Sequence, residues 1–189
     1  MKHFLPMALV AGLTGCMTLP HNASNTLSAP HGDGAIGITT KIIKVGSAYP
    51  CDTFSILMYE KIGDELAQEP ETLRMTVYED LEYVLFDNIK PGSYVVKEAR
   101  CNVPRGIAVD GYKRYHSIEM SSEYMVKPNT LTLTDDLIFA AQETEKDFYF
   151  TVESSEEVSI YLEGLLAVSD TIGEGLSLIH ISEPTRLQQ

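Results

Sequence analysis

An all-β fold, an antiparallel β-sandwich of seven or eight strands, is what this sequence predicts, and three observations predict it. Through most of residues 35–162 apolar side chains recur at every second position, which turns one face of each segment toward a core. The segments are short and rich in β-branched and aromatic residues, and Gly, Pro, Asn and Asp separate them. Runs of strands without intervening helical periods pack as two layers around one core.

Taken in order, residues 35–45 alternate through Ile36, Ile38, Thr40 and Ile42. Residues 52–62 carry Phe54, Ile56 and Met58 on one face, with Leu57 and Tyr59 opposite. Residues 64–73 are acidic and contain Pro70, which predicts a loop with a helical turn. Leu73, Met75 and Val77 alternate, as do residues 83–89 and 94–97. Leu131 and Leu133 follow, then Phe148, Phe150 and Val152, and last Val158, Ile160 and Leu162. Between two of these strand patterns stands Pro91-Gly92. Pro fixes φ at the second turn position and Gly tolerates positive φ at the third, the requirement of a type II turn. No internal repeat is present.

The run Phe86, Ile89, Pro91, Gly92, Tyr94 and Val96, with the spacing F-x-x-I-x-P-G-x-Y-x-V, resembles prealbumin-like and carboxypeptidase-regulatory-type β-sandwich domains. The resemblance implies that the aromatic residues flanking the turn pack between the sheets. Residues 148–166, with Phe150-Thr151-Val152, Tyr161-Leu162 and Gly164-Leu165, look like the closing strands of small envelope lipoproteins built on that sandwich. Such sandwiches host many roles, so the resemblance bears on fold and not on activity.

At the other end, Lys2 precedes a short apolar stretch from Phe4 that finishes in Leu13-Thr14-Gly15-Cys16. The stretch is shorter than the ~20 residues a spanning helix needs, and Pro6 interrupts it. It resembles a bacterial lipoprotein signal, which implies removal of residues 1–15 and diacylation of Cys16. An ordinary secretory signal shares the basic and apolar regions but ends in a small-x-small site. Met17 follows the cysteine; in a Gram-negative envelope the absence of Asp there implies outer-membrane anchoring with the domain facing the periplasm. Residues 16–34 are rich in Thr, Pro, His, Asn, Ser and Gly without an apolar period, which predicts a disordered tether from the lipidated cysteine. The sandwich is then residues 35–175.

Residues 176–186 resemble, codon by codon, the in-frame translation of a transposon-type sequencing adapter. Residues 176–189 are accordingly read as adapter-derived, set aside from the fold, and expected to pack against nothing.

The chain has 14 basic and 27 acidic residues and a formal charge of −13. That balance excludes a nucleic-acid partner, since phosphate binding needs a positive surface. The membrane is met through the lipid and not through the protein's charge. With Cys16 assigned to lipid, Cys51 and Cys101 form an even pair in an oxidising compartment, which favours a structural disulfide over two buried thiols.

No catalytic constellation stands out, and neither a cofactor nor a metal is implied. Gly32, Gly34 and Gly37 match G-x-G-x-x-G, but the motif runs into a β-branched strand where a dinucleotide site needs a helix. His116 is the one histidine of residues 35–175, and no G-x-S-x-G elbow accompanies it. Asp135-Asp136 could hold a cation weakly, though a solvated turn is the plainer expectation. The distribution of charge is more telling. Residues 60–87 carry nine acidic and two basic side chains. Residues 97–116 carry Lys97, Arg100, Arg105, Lys113 and Arg114 against Glu98 and Asp110, together with Tyr112, Tyr115 and His116. Arg and Tyr are enriched where partners bind, so this island is the candidate contact for an envelope protein or a glycan. A solvated loop paired with the acidic half of the domain is the competing expectation. A non-catalytic interaction or envelope-maintenance lipoprotein follows, ahead of a glycan- or peptidoglycan-fragment-binding lipoprotein and a hydrolase.

Overall fold

The computed structural model describes residues 19–24, 27, 32–43, 51–76, 82–102, 114–142, 148–167 and 177–180. The elements in chain order are β1 (His21–Asn22), β2 (Gly34–Ile43), β3 (Thr53–Ile62), β4 (Glu65–Leu66), β5 (Glu71–Thr76), β6 (Tyr83–Ile89) and β7 (Gly92–Asn102). They continue with β8 (Tyr115–Glu119), β9 (Glu123–Val126), β10 (Thr130–Gln142), β11 (Phe148–Ser154), α1 (Glu156–Ala167) and β12 (Ser177–His180). One sheet runs β1-β5-β3-β7-β8, with β4 beside β3 and β9 beside β7. The other runs β11-β10-β2-β6, with β12 beside β10.

The two sheets enclose the core that the period-two pattern predicts. Ile36, Ile38 and Ile42 of β2 and Ile138 and Ala140 of β10 meet Phe54, Ile56 and Met58 of β3 and Tyr94 and Val96 of β7. Phe54 stacks on Phe150 across the sheets with ring centroids 5.3 Å apart. Burying each large side chain contributes about 1.5–3 kcal/mol. Cys51 and Cys101 are bridged, with Cα atoms 5.4 Å apart, and both are fully buried in this core.

A smaller core lies on the outer face of the second sheet. Leu162 and Leu166 of α1 pack there with Ala35, Leu85, Leu131 and Leu133. Gly37 lets the helix come close: a Cβ at that position would lie 3.2–3.4 Å from the Cδ2 atoms of Leu133, Leu85 and Leu162.

Several expectations are corrected. Val158, Ile160 and Leu162 belong to α1 and not to a strand. Ser155 Oγ accepts a hydrogen bond from the Glu157 N–H at 3.3 Å, and Glu156 and Glu157 fill the first turn. A capping hydroxyl and acidic residues at the positive end of the dipole favour a helix start. Helical spacing then buries Ser159, Leu162 and Leu166 on one face and leaves Ile160 exposed.

Residues 64–73 form no helical turn. Gly63, at φ 64°, reverses the chain, and β4 folds back on β3 before β5 begins at Glu71. Pairing is not antiparallel throughout, because β10 runs parallel to β2, β12 parallel to β10 and β1 parallel to β5. Strands so far apart in sequence are not bound to hairpin geometry.

Pro91-Gly92 makes no type II turn. β6 and β7 lie in different sheets, so this link crosses the sandwich. The left-handed residue there is Asn88, at φ 57°, while Gly92 is not in the left-handed region and pairs with Val126. Tyr94 closes the crossing by donating its hydroxyl proton to the Lys90 carbonyl at 2.8 Å.

The described part of residues 16–34, expected to be a disordered tether, is not structureless. His21–Asn22 pairs with β5. The Ala23 N–H bonds the Arg74 carbonyl and the Ser24 N–H the Leu85 carbonyl, both at 2.8 Å. Because β5 and β6 belong to different sheets, this segment straps one side of the sandwich. Leu27 is buried in the smaller core.

Residues 176–189 do not stand entirely apart. Ser177–His180 pairs with Thr130–Leu133 of β10, a stretch that β11 leaves free by pairing only from Asp136 onward. Unpaired edge groups accept any extended backbone that reaches them. The lipobox with Cys16 lies outside the described residues.

Candidate functional site

Strand periodicity sorts the basic island. On β7, Ala99 and Cys101 point into the core, and Glu98, Arg100 and Asn102 point outward. Residues two apart on a strand share a face, and Arg100 is accordingly held by Glu98. Its Nε and Nη2 donate to the two carboxylate oxygens at 2.8 and 2.7 Å. This hydrogen bonding and the neighbouring negative charge hold the guanidinium above its ordinary pKa. Arg100 also lies 4.7 Å from the centroid of the Tyr115 ring, a geometry that contributes about 0.5–1 kcal/mol at exposed sites. Asn102 Nδ2 donates to the Thr53 carbonyl, Thr53 Oγ1 and Ser55 Oγ at 3.0–3.1 Å.

The outward side chains Glu98, Arg100 and Asn102 are thus all held by hydrogen bonds, and the Arg100 charge is met within its own strand. Lys97 is the extra residue where the β3–β7 register shifts, and it is exposed. Arg114 is exposed, Tyr115 half-buried, and His116 half-buried opposite Cys101. Arg105, Tyr112 and Lys113 lie outside the described residues; among the described residues of the island, Arg100 and Tyr115 are in contact.

Asp135 and Asp136 lie within β10 and not in a solvated turn. They fall where the β2–β10 register shifts between Leu133 and Leu137, and they act on opposite sides. Asp136 is buried and accepts from Ser122 Oγ at 3.0 Å, Tyr124 Oη at 2.6 Å and Ser154 Oγ. Asp135 accepts from Ser159 Oγ of α1. The two carboxylates do not converge on a cation. Among the described residues no three His, Cys, Asp or Glu side chains gather with metal-ligand geometry.

Burial pushes the Tyr124 hydroxyl well above its ordinary pKa, and the adjacent Asp136 charge adds to the shift. Burial, then Glu71, Glu60 and Asp33, does the same to Tyr94. Both hydroxyls stay neutral in the folded chain at pH values where an unfolded tyrosine ionises. Their contribution is complete below pH 10, the ordinary value, and declines as pH rises toward the folded values. The limiting slope is about 1.4 kcal/mol per pH unit for each tyrosine. Thermal melts from pH 8 to 11.5 are expected to show steepening destabilisation above pH 10, blunted in a Tyr94→Phe, Tyr124→Phe double variant. An equal decline in that variant would contradict the assignment.

Sequence reasoning missed a groove of about 770 Å³ beside α1, lined by β2, β10, β11 and the helix. Thr39 and Leu137 lie on the sheet side, Val158 and Tyr161 on the helix side, and Glu153 and Glu157 border it. Its one legible signal was Ser155-Glu156-Glu157 ahead of an apolar run, a helix start. No protein-family model, curated protein or solved structure matches the chain.

Proposed function

We propose that this chain is a non-catalytic, lipid-anchored envelope protein whose β-sandwich serves as an interaction or envelope-maintenance module on the periplasmic side of the outer membrane. The observation that carries the reading is the Cys51–Cys101 bridge. Disulfides persist in oxidising compartments, and the bridge uses two of three cysteines, leaving Cys16 in Leu13-Thr14-Gly15-Cys16 for lipid. The buried carboxylate Asp136 is occupied by three hydroxyl donors, a structural use and not a poised base. Glycan recognition through Tyr115 is less well supported, because Arg100 covers one face of the ring that a sugar would stack on.

Cys16→Ser is expected to abolish incorporation of a fatty-acid label and to move the protein from the membrane pellet to the soluble periplasmic fraction, with the bridge still formed. A variant that stays with the membranes, or a wild-type protein recovered from the cytoplasm with alkylatable Cys51 and Cys101, contradicts the proposal.

A further inference from the structure

We propose that the groove between α1 and the outer face of the second sheet docks a short basic segment of a partner protein. The inference stands on the groove alone and does not depend on the anchor. Its volume, about 770 Å³, lies within the roughly 300–1,000 Å³ of sites that hold compact ligands. The walls mix apolar Leu137 and Val158 with Tyr161, which is half exposed, a residue type that partners use as an anchor.

The border is acidic. Glu82, Glu153 and Glu157 face the groove against Lys41 among the described residues that line it, which selects a positively charged occupant. The ladder spaces these charges. Glu153 pairs with Leu137, Leu137 with Thr39, and the Glu82 carbonyl accepts from the Thr40 N–H. That row ends on Tyr83 of β6, and Glu82, one residue before it, borders the groove at the edge opposite Glu153, about three strand spacings or roughly 15 Å away. An extended segment of five residues spans that distance, at roughly 3.4 Å per residue over four steps. Its first, third and fifth side chains share a face, so basic ends meet the two carboxylates and an apolar centre meets Leu137.

An independent observation points to a ligand in the same place. Thr39 lines the groove and is 4% exposed, and its Oγ1, which has no hydrogen-bond partner, is itself closed to solvent, so it meets an occupant through a turn about χ1. Native chains rarely bury a hydroxyl unpaired, and the main chain of an extended segment supplies both donors and acceptors. An acidic border alone would draw any cation. An unpaired hydroxyl in the same groove calls for an occupant with hydrogen-bonding groups between its charges.

The test is fluorescence anisotropy of a dye-labelled Lys-Ala-Leu-Ala-Lys peptide titrated with the full chain at low salt. Saturable binding is expected, weakened at least tenfold by Glu82→Gln with Glu153→Gln at an unchanged melting temperature, and about threefold by Thr39→Val, whose melting temperature should not fall because the hydroxyl removed is unpaired. The carboxylate pair and Thr39 are changed in separate variants, so one poorly folded variant does not decide the outcome. Glu65→Gln with Glu69→Gln, exposed positions away from the groove, is expected to leave binding unaltered. Several results would overturn the proposal: no saturable binding, equal binding of Glu-Ala-Leu-Ala-Glu, or equal weakening by the control pair, which would trace attraction to net charge. Displacement by spermidine at lower concentration than by unlabelled peptide would also overturn it, by assigning the groove to a free polyamine. Any of these leaves the membrane-anchor proposal standing.

Discussion

Replacing Cys101 by serine is expected to lower unfolding stability by about 4 kcal/mol, the loop-closure entropy of a 50-residue separation on the chain-entropy model. Small domains are stable by only about 5–15 kcal/mol in total, so the change removes a large share. Its effect exceeds that of an ordinary surface change because the bridge ties β7 to the segment entering β3 and both cysteines are fully buried in the core. Urea denaturation with and without reductant measures it. The midpoint should fall on reduction in the wild type and stay fixed in Cys51→Ser, Cys101→Ser. Equal midpoints for oxidised and reduced wild type would show that the bridge constrains nothing.

Asp136→Ala should cost about 3 kcal/mol. It takes the acceptor from the Tyr124 hydroxyl, which is fully buried, and an unsatisfied buried group costs about 1–3 kcal/mol. Ser122 and Ser154 also lose their acceptor, but they lie nearer solvent and recover part of the loss from water. The carboxylate joins β9 of one sheet to β10 and β11 of the other, so the loss should appear in global unfolding and not as local fraying. Tyr124→Phe removes one of three donors and should cost less. In a double-mutant cycle the two changes should be strongly non-additive, since they share one hydrogen bond. Additive losses would place the energetic role of Asp136 elsewhere.

Strands were legible because one buried face per strand leaves a period of two that no other element imitates over a long run. Ile36, Ile38 and Ile42, and Phe54, Ile56 and Met58, all lie in the core as that period requires. The same period misled at Val158, Ile160 and Leu162, where three residues fit both templates and only Ser155-Glu156-Glu157 and Leu166 tell them apart. Asp135-Asp136 looked like a turn because charge usually means solvent. Both instead lie in β10, where the ordinary alternation of a strand places neighbouring side chains on opposite sides of the sheet.

The island between Lys97 and His116 was visible as composition but not as pairing. Glu98 and Arg100 share a strand face, which is enough to bring the charges together, yet this needs the strand to be known first. Of the groove beside α1 only the helix start at Ser155-Glu156-Glu157 was legible, since the rest depends on where that helix lies across β2, β10 and β11, distant in sequence.

Intact-mass measurement of the protein extracted from the producing cell's envelope tests anchor and bridge at once. The reading proposed above requires a chain beginning at Cys16, heavier by its acyl groups, and lighter by two hydrogens than the fully reduced form. A chain that retains residues 1–15 or carries no lipid, with Cys51 and Cys101 both as thiols, would contradict it.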